Sequence, residues 1–280
     1  MSNTMISSSL IIRILFYLIT VMLALVILSP FYFVLTNSVK SYSEIILDAS
    51  AMPESLNLSN YREGIERVRF GQVFLNSLVV TVLGIGGMAV FGSMAAWKLA
   101  RVRSRVSGIM YASYIIAMVI PFQAIMIPLV VVANRFNMLN PMGLSVLYWA
   151  FGMPLTVFLY RGYFNYVPIE FDESAMLDGC NDFQLFWRIL FPQLKTMTTT
   201  VMILQSLWVW NDFLLPLLIL QHERDFYTIP LGINSFFGVY KAQWDMALPI
   251  LVLGMIPLIA FFLSAQKYIV QSIASSGLKG

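Results

Sequence analysis

Charged residues are scarce in this sequence, and cysteine and histidine are almost absent. Lys, Arg, Asp and Glu make up 11% of the 280 residues, whereas hydrophobic residues make up 59%. A soluble domain carries about 25% charged residues, so the composition indicates an integral protein of the lipid bilayer. The net charge of +3 is too small to indicate a nucleic-acid partner. The single Cys180 excludes an internal disulfide and is expected to be a small buried residue, and the single His222 excludes a metal site of His and Cys.

Motifs for nucleotide binding and catalysis are also missing. The sequence contains no Gly-x-x-x-x-Gly-Lys-Ser/Thr stretch, which would cradle nucleotide phosphates, and no His-Glu-x-x-His stretch. It has no recognisable pairing of a nucleophile with a base, no series of intramembrane acids for a proton relay, and no internal repeat of the secondary-transporter kind. We therefore predict that the chain is not an enzyme, has no catalytic residue and binds no cofactor. Any energy that it uses must come from a partner.

Long apolar runs predict an all-α membrane protein with six transmembrane helices. Each run can cross the hydrocarbon core, which takes about 20 residues. The first run is too long and too uniformly apolar for a cleaved signal peptide, so we expect it to remain as an anchor. The predicted spans are residues 14–35, 71–97, 106–133, 136–160, 196–221 and 246–266.

The positions of the basic residues predict how these spans are oriented. Lys98, Arg101, Arg103 and Arg105 crowd the short loop between the second and third spans, and cytoplasmic loops are enriched in Lys and Arg. If that loop is cytoplasmic, both termini and the loop 161–195 are cytoplasmic as well. The chain then divides into an N-terminal anchor helix with an extracytoplasmic loop (1–70), a transmembrane core (71–267) and a cytoplasmic C-terminal tail (268–280).

Proline is frequent in or beside the predicted spans. A proline within a helix removes one backbone hydrogen bond, and in lipid such a gap is tolerated only against protein or a water-filled cavity. Small residues in the second span let helices approach closely. The pattern indicates a bent, closely packed bundle with a polar interior, although a kink that only shapes packing is an equal alternative for any single proline. The residues are Pro121, Pro128, Pro141, Pro154, Pro216, Pro249 and Pro257, with Gly84, Gly86, Gly87 and Gly92.

One predicted span carries a polar face that is a candidate substrate pathway. Asp212 is the only acid well inside a span, and Gln205, Trp208 and Asn211 fall with it at helical spacing on one face. Pro216 stands four residues later and is expected to kink the helix there. An aromatic ring beside amide and carboxylate groups offers a carbohydrate a stacking surface and hydrogen-bond acceptors.

Three further polar residues could complete such a cavity: Asn76 and Ser77 in the second span and Gln123 in the third. Helix packing is the default alternative for all three. For Asn211 and Asp212 the alternative is a hydrogen-bonded clamp between two helices.

The polar segment before the fifth span predicts two short helices joined by a glycine. Residues 172–177 are mostly good helix formers that stop at Gly179, where a left-handed residue closes a helix at little cost. Asn181 with Gln184 three residues later is typical of a capping box, and an apolar stretch then runs to Pro192. A helix–Gly–helix unit between membrane spans indicates a docking surface.

The spacing within this segment resembles a known motif. The pattern Glu173-Ser-Ala-x3-Gly179-x9-Ile189-x-Phe-Pro192 resembles the EAA motif, Glu-Ala-Ala-x3-Gly-x9-Ile-x-Leu-Pro, of ATP-binding-cassette (ABC) importer permeases. Two positions differ, Ser for Ala and Phe for Leu, and both changes are mild because small stays small and apolar stays apolar.

Three other stretches resemble the carbohydrate-uptake subgroup of these permeases. Trp210-Asn-Asp-Phe-Leu-Leu-Pro216 looks like its Trp-Asn-Asp/Glu-Phe-Leu-x-Pro stretch. Ile120-Pro-Phe-Gln-Ala-Ile-Met-Ile-Pro128 and the terminal Gly277-Leu-Lys-Gly280 look like its maltose-type second permease.

The resemblance implies a type I ABC importer permease fold with a cytoplasmic coupling-helix loop, in a bacterial cytoplasmic (inner) membrane. It also implies a second homologous permease, two ABC ATPase subunits that bind ATP and Mg²⁺, and an extracytoplasmic solute-binding protein. In the family the coupling helices sit on the ATPases, with Glu173 as the polar anchor, Gly179 setting the bend, and apolar contacts from residues 175–177, 183 and 186. The implied coupling residues are Glu173, Ser174, Ala175, Asp178, Gly179, Ile189 and Pro192.

The expected function is therefore import of sugars or oligosaccharides, with ATPase closure coupled to alternating access. One alternative keeps the machinery and changes the cargo to a polyol, glycerol phosphate or another small polar solute. No Lys or Arg lies in the middle of a predicted span, and this favours a neutral sugar over a phosphorylated cargo. A second alternative is an autonomous channel or carrier.

Overall fold

The structure is a computed structural model that describes residues 2–238 and 242–277, with side chains described for 12–238 and 242–266. The terminal Leu278, Lys279 and Gly280 lie outside the described residues, as do the side chains of the predicted tail 268–280. The described residues are almost entirely helical. The helices are α1 (Ser2–Asn37), α2 (Tyr42–Leu47), α3 (Ser59–Val68), α4 (Phe70–Arg101), α5 (Arg105–Val119), α6 (Phe122–Arg135), α7 (Pro141–Phe164), α8 (Glu170–Leu177), α9 (Asp182–Gln184), α10 (Phe191–Gln193), α11 (Lys195–Asn211), α12 (Leu214–Leu220), α13 (Ile229–Asn234) and α14 (Trp244–Gly277).

Four of these helices are long and apolar enough to cross a membrane without interruption: α1 from Ile12 to Asn37, α4, α7, and α14 from Trp244 to Gln266. Two bent pairs, α5 with α6 and α11 with α12, raise the number to six if each pair is one span. The predicted all-α fold class is thereby confirmed, and the chain is a multi-pass membrane protein.

The third predicted span, residues 106–133, is not a continuous helix. It ends as α5 at Val119, and α6 begins at Phe122 with its axis turned by 107°. Pro121 explains the break, because the residue before a proline is pushed into extended backbone, and Ile120 has φ −70° and ψ 118°.

The fourth predicted span, residues 136–160, starts too early. Its helix α7 begins at Pro141, where the missing N–H of proline costs nothing. The side chain of Asn140 accepts a hydrogen bond from the N–H of Gly143 at 2.9 Å and caps the helix.

The fifth predicted span, residues 196–221, is broken by a bend of 58°. We predicted a kink beside Pro216, and the helix is interrupted at Asp212 and Phe213, where the missing N–H of Pro216 leaves the carbonyl of Asp212 without a helical partner. Helix α11 ends at Asn211, and Asp212 is extended, with φ −70° and ψ 131°. Pro216 lies in the first turn of α12, where backbone N–H groups have no partner within that helix. The Asp212 Oδ1 atom accepts the N–H of Leu214 at 3.0 Å, so the acid itself caps α12.

One compact unit comprises Met1–Val68 and Ile233–Leu253. Its predicted extracytoplasmic loop is folded. Ser41 and Glu44 form a capping box at the start of α2, and the backbone N–H of Ser41 lowers the pKa of Glu44. Lys40 is buried, and its Nζ donates to two backbone carbonyls at 3.2 and 3.3 Å.

The second unit comprises Arg69–Gly232 and Gly254–Gly280. Its centre is the packing of α4 on α7, with α5 and α11 against the same two helices. The close approach depends on Gly87, where a Cβ atom would overlap the indole of Trp149. That indole is fixed, because its Nε1 donates to the carbonyl of Leu83 at 2.8 Å.

Candidate functional site

The loop between α7 and α11 contains the helix–Gly–helix unit that the sequence predicted. Helix α8 closes at Gly179, whose φ of +79° is the left-handed conformation that favours glycine. The predicted capping box is present: Asn181 accepts the N–H of Gln184, and Gln184 accepts the N–H of Asn181. Cys180 is half-buried and is a free thiol.

The second helix of this loop contains a π-helical turn at Leu185–Leu190. The N–H of Phe191 bonds to the carbonyl of Phe186, five residues back. The widened turn comes immediately before Pro192, which has no N–H to donate. Such turns are rare and occur often at functional sites.

One carboxylate of the loop is buried and fixes the loop to the end of α4. Asp172 is 5% exposed. Its Oδ1 accepts from Nε1 of Trp97 at 2.9 Å, and its Oδ2 pairs with Nη2 of Arg101 at 2.9 Å. An exposed ion pair, Lys98 with Asp182 at 2.5 Å, ties the second half of the loop to the same end of α4. Sequence reasoning missed the role of Asp172, because its partners lie 75 and 71 residues away.

The predicted coupling residues divide into an exposed and a buried set. We define the loop tip as the exposed residues Glu173, Ser174, Met176, Leu177, Asp178 and Phe183. Leu177 is 89% exposed and Phe183 68%, which is unusual for large apolar side chains without a partner. Ala175 and Phe186 instead belong to the buried core of the chain, Ile189 is half-buried, and Gly179 and Pro192 are exposed.

A cavity of about 650 Å³ lies where the two bent spans are interrupted. Backbone that leaves its helix inside a membrane is tolerated against protein or beside a water-filled cavity, and in transporters such breaks mark substrate sites. The lining includes Ile120, Phe122 and Gln123 from one break, Asp212, Leu214 and Leu215 from the other, and Trp208 and Pro154.

Three of the predicted pathway residues, Gln123, Trp208 and Asp212, line this cavity. Tyr148 of α7, which sequence reasoning missed, holds two of them in place. Its hydroxyl donates to Oδ2 of Asp212 at 2.8 Å, and its ring meets that of Trp208 edge-on, with centroids 5.3 Å apart. A tyrosine within an apolar run gives no signal of a partner 64 residues away.

Three other predicted pathway residues lie elsewhere. Gln205 is buried, and its Nε2 donates to the carbonyl of Gly152 at 3.1 Å and to Oγ1 of Thr156 at 2.9 Å, joining α11 to α7. Asn76 is buried and donates to the backbone carbonyls of residues 225 and 227. Asn211 is exposed and donates to a carbonyl of its own helix at 2.8 Å.

The side chains that line the cavity are suited to binding a ligand. Its lining combines three aromatic side chains (Phe122, Phe151 and Trp208), one amide and one carboxylate with aliphatic side chains, and it includes no Lys, Arg, His or Cys. Within residues 2–238 and 242–277, no group of His, Cys, Asp and Glu side chains could hold a metal ion. The arrangement can accept hydrogen bonds and stack against a ring.

Comparison with known sequences places the chain among transport proteins. A family model described as "Binding-protein-dependent transport system inner membrane component" matches residues 88–275. The chain is 38% identical to a probable starch degradation products transport system permease protein, AmyC, of Thermoanaerobacterium thermosulfurigenes, over 94% of this chain and 97% of that protein. It is 34% identical to the multiple sugar-binding transport system permease protein MsmG of Streptococcus mutans, over 91% and 93% of the two chains. It is 31% identical to the melibiose/raffinose/stachyose import permease protein MelC of Bacillus subtilis, over 90% and 91%.

Among solved structures, the chain resembles one from a bacterial ABC transporter involved in the import of the acidic polysaccharide alginate. The TM-score is 0.79 at 21% identity, over 93% of this chain and 97% of that one. This likeness establishes the fold, which is the ABC importer permease fold that the sequence predicted. The chain therefore belongs to the family of binding-protein-dependent transport system inner membrane components, and it is a transport subunit rather than an enzyme.

Proposed function

We propose that this chain is the permease subunit of an ATP-driven importer of neutral sugars or oligosaccharides. The cargo is inferred from three relatives that align with at least 90% of the chain and are named for the transport of starch degradation products, of multiple sugars, and of melibiose, raffinose and stachyose. The partners in this proposal are a solute-binding protein, a second homologous permease and two ATPase subunits that bind ATP and Mg²⁺. The termini and the loop tip face the cytoplasm.

The cavity at the two helix breaks supports a neutral sugar as cargo. Its volume of about 650 Å³ is within the range of about 300–1,000 Å³ typical of ligand pockets. The ring of Trp208 offers a stacking face, and Gln123 and Asp212 offer acceptors for hydroxyl groups. A phosphorylated solute would need a cation, and the lining has none.

The loop tip supports the coupling role. Apolar side chains exposed beside the carboxylates of Glu173 and Asp178 form a surface suited to a groove on another protein. In our proposal ATP closes the ATPase dimer and moves the loop. The displacement passes along α11, which begins two positions after the end of α10, and opens the cavity to the outside. Hydrolysis reverses the movement.

The coupling role is tested by reversing the charge of Glu173. We expect Glu173→Lys to abolish sugar transport and to reduce recovery of the ATPase in a pull-down, with normal membrane insertion. Glu63→Lys is the matched control, because Glu63 is also an exposed acid and lies in the predicted extracytoplasmic loop. Intact transport and pull-down in Glu173→Lys would contradict the coupling role.

The cargo is tested on the co-purified complex with its binding protein, by measuring ATPase activity with maltotriose, raffinose, sorbitol and glycerol 3-phosphate. We expect stimulation by a neutral oligosaccharide, and a reduced response when Trp208 is replaced by Ala. Stimulation by glycerol 3-phosphate or sorbitol alone would favour the alternative cargo. Sugar flux through the purified chain in liposomes without ATPase would show an autonomous carrier.

A further inference from the structure

A narrow apolar groove lies between the last turns of α4 and the first turns of α5. Its volume is about 250 Å³. One wall carries Ala95 and Leu99 together with Lys98, and the other carries Val106, Met110 and Tyr114 together with Ser107. The spacing of four residues places the apolar side chains of each wall on one face of its helix. The groove therefore extends about 12 Å along α5, at 1.5 Å per residue over eight residues.

The mouth of this groove is the short loop 102–104, which is polar and basic, whereas the walls are mainly apolar. Ser104 lines the groove at this end, and Arg103 and Arg105 are exposed on either side of it. The Ser104 side chain accepts the N–H of Ser107 at 3.1 Å and caps α5, so the loop conformation is fixed. An apolar channel thus opens onto a polar and basic rim.

The positive charge at this rim is not balanced within the described part of the chain. Of the five basic residues at this end of α4, α5 and α7, two have acidic partners: Lys98 pairs with Asp182, and Arg101 with Asp172. The remaining three are Arg103, Arg105 and Arg161, for which no carboxylate within hydrogen-bonding distance is found among the described residues.

The contacts that hold Arg161 in place are with an aromatic ring and a backbone carbonyl. Its guanidinium carbon lies 3.6 Å from the ring centroid of Tyr111, and its Nε donates to the carbonyl of Leu99 at 3.4 Å. Both contacts keep the positive charge beside the groove and leave it un-neutralised. Leu99, whose carbonyl accepts this hydrogen bond, also lines the groove.

We propose that this groove binds an anionic phospholipid, with one acyl chain between α4 and α5 and the phosphodiester at the rim formed by Arg103, Ser104 and Arg105. The occupant must be apolar along about 12 Å and negative at one end, which is the chemistry of such a lipid. Basic residues next to membrane spans attract anionic headgroups. Val106 and Met110, 65% and 50% exposed, are the side chains that the acyl chain would cover.

The test is native mass spectrometry of the purified full-length chain titrated with dioleoyl phosphatidylglycerol or with dioleoyl phosphatidylcholine. We expect the first lipid to bind more tightly. Arg103→Gln with Arg105→Gln should weaken its binding about tenfold or more, because each basic side chain near a headgroup contributes to attraction. The matched control is Arg67→Gln with Arg135→Gln, which removes the same charge from exposed positions elsewhere.

A second variant keeps the charges and fills the groove. Met110→Trp should weaken binding of phosphatidylglycerol, and the melting temperature of each variant shows that it remains folded. The proposal is overturned if both lipids bind alike, if the Arg67/Arg135 control loses as much binding as the Arg103/Arg105 variant, or if Met110→Trp binds as the unmodified chain does. It is also overturned if millimolar inorganic phosphate displaces the lipid, since the site would then be one for free phosphate.

Discussion

Replacing Asp172 by Asn removes the charge that fixes the loop between α7 and α11 to the end of α4. The side chains of Asp172 and Arg101 are 7% and 17% exposed, so the pair is nearly buried. Removing one partner of a buried ion pair costs about 3–5 kcal/mol. Arg101 keeps some solvent and a hydrogen bond to the carbonyl of Val167 at 2.9 Å, and Asn can still accept from Trp97. We therefore expect the lower end of that range, about 3 kcal/mol.

The assay is the unfolding free energy of the purified chain, measured for Asp172→Asn, Arg101→Gln and the double variant. Because the two residues form one pair, we expect the double variant to be no less stable than Asp172→Asn alone. Glu170→Gln is the control, since Glu170 is an exposed acid two residues earlier, and its effect should stay within about 0.5 kcal/mol. Additive losses in the double variant, or an Asp172→Asn variant as stable as the control, would refute the reasoning.

Three further predictions follow from single contacts. Gly87→Ala should destabilise the chain, because the added Cβ would overlap an indole ring of α7. Gly86→Ala should be neutral or stabilising, because the space around Gly86 is open. The melting temperatures of the two variants test this difference. Gly179→Ala should cost about 1–2 kcal/mol of unfolding free energy, because φ is +79° there; equal stability would contradict this. Tyr148→Phe removes the hydroxyl donor to Asp212 and should raise the KM for sugar transport more than it lowers the maximal rate, which an uptake assay measures; an unchanged KM would contradict a positioning role.

Local features of the fold could be predicted from the sequence because their determinants are neighbours in the chain. The apolar runs located the membrane helices, and Gly179 and the Asn181–Gln184 pair located the ends of the loop helices. The start of α7 was also encoded locally, by Asn140 as cap and Pro141 as first residue, but the apolar run that continues past them concealed it.

The long-range features could not be predicted in this way. A single sequence does not show that Asp172 meets Arg101, or that Tyr148 meets Asp212, because each pairing depends on how the helices pack. The kink beside Pro216 was predicted, but the part that Asp212 takes in it was not: the backbone leaves α11 at this acid, and its Oδ1 accepts the N–H of Leu214.

The two hydrogen bonds of Gln205 attach α11 to α7 at a point between the two ends of α11. The helix runs from Lys195, next to the loop, to Asn211, next to the cavity. Gln205 lies about 15 Å from the first end and about 10 Å from the break at Asp212, at 1.5 Å per residue. If the bonds to Gly152 and Thr156 hold while α11 rotates as a rigid body, a displacement of its loop end would move its cavity end in the opposite direction, by about two thirds of the distance. In the transport cycle that we propose, closing one face of the membrane and opening the other would then be a single rotation of α11.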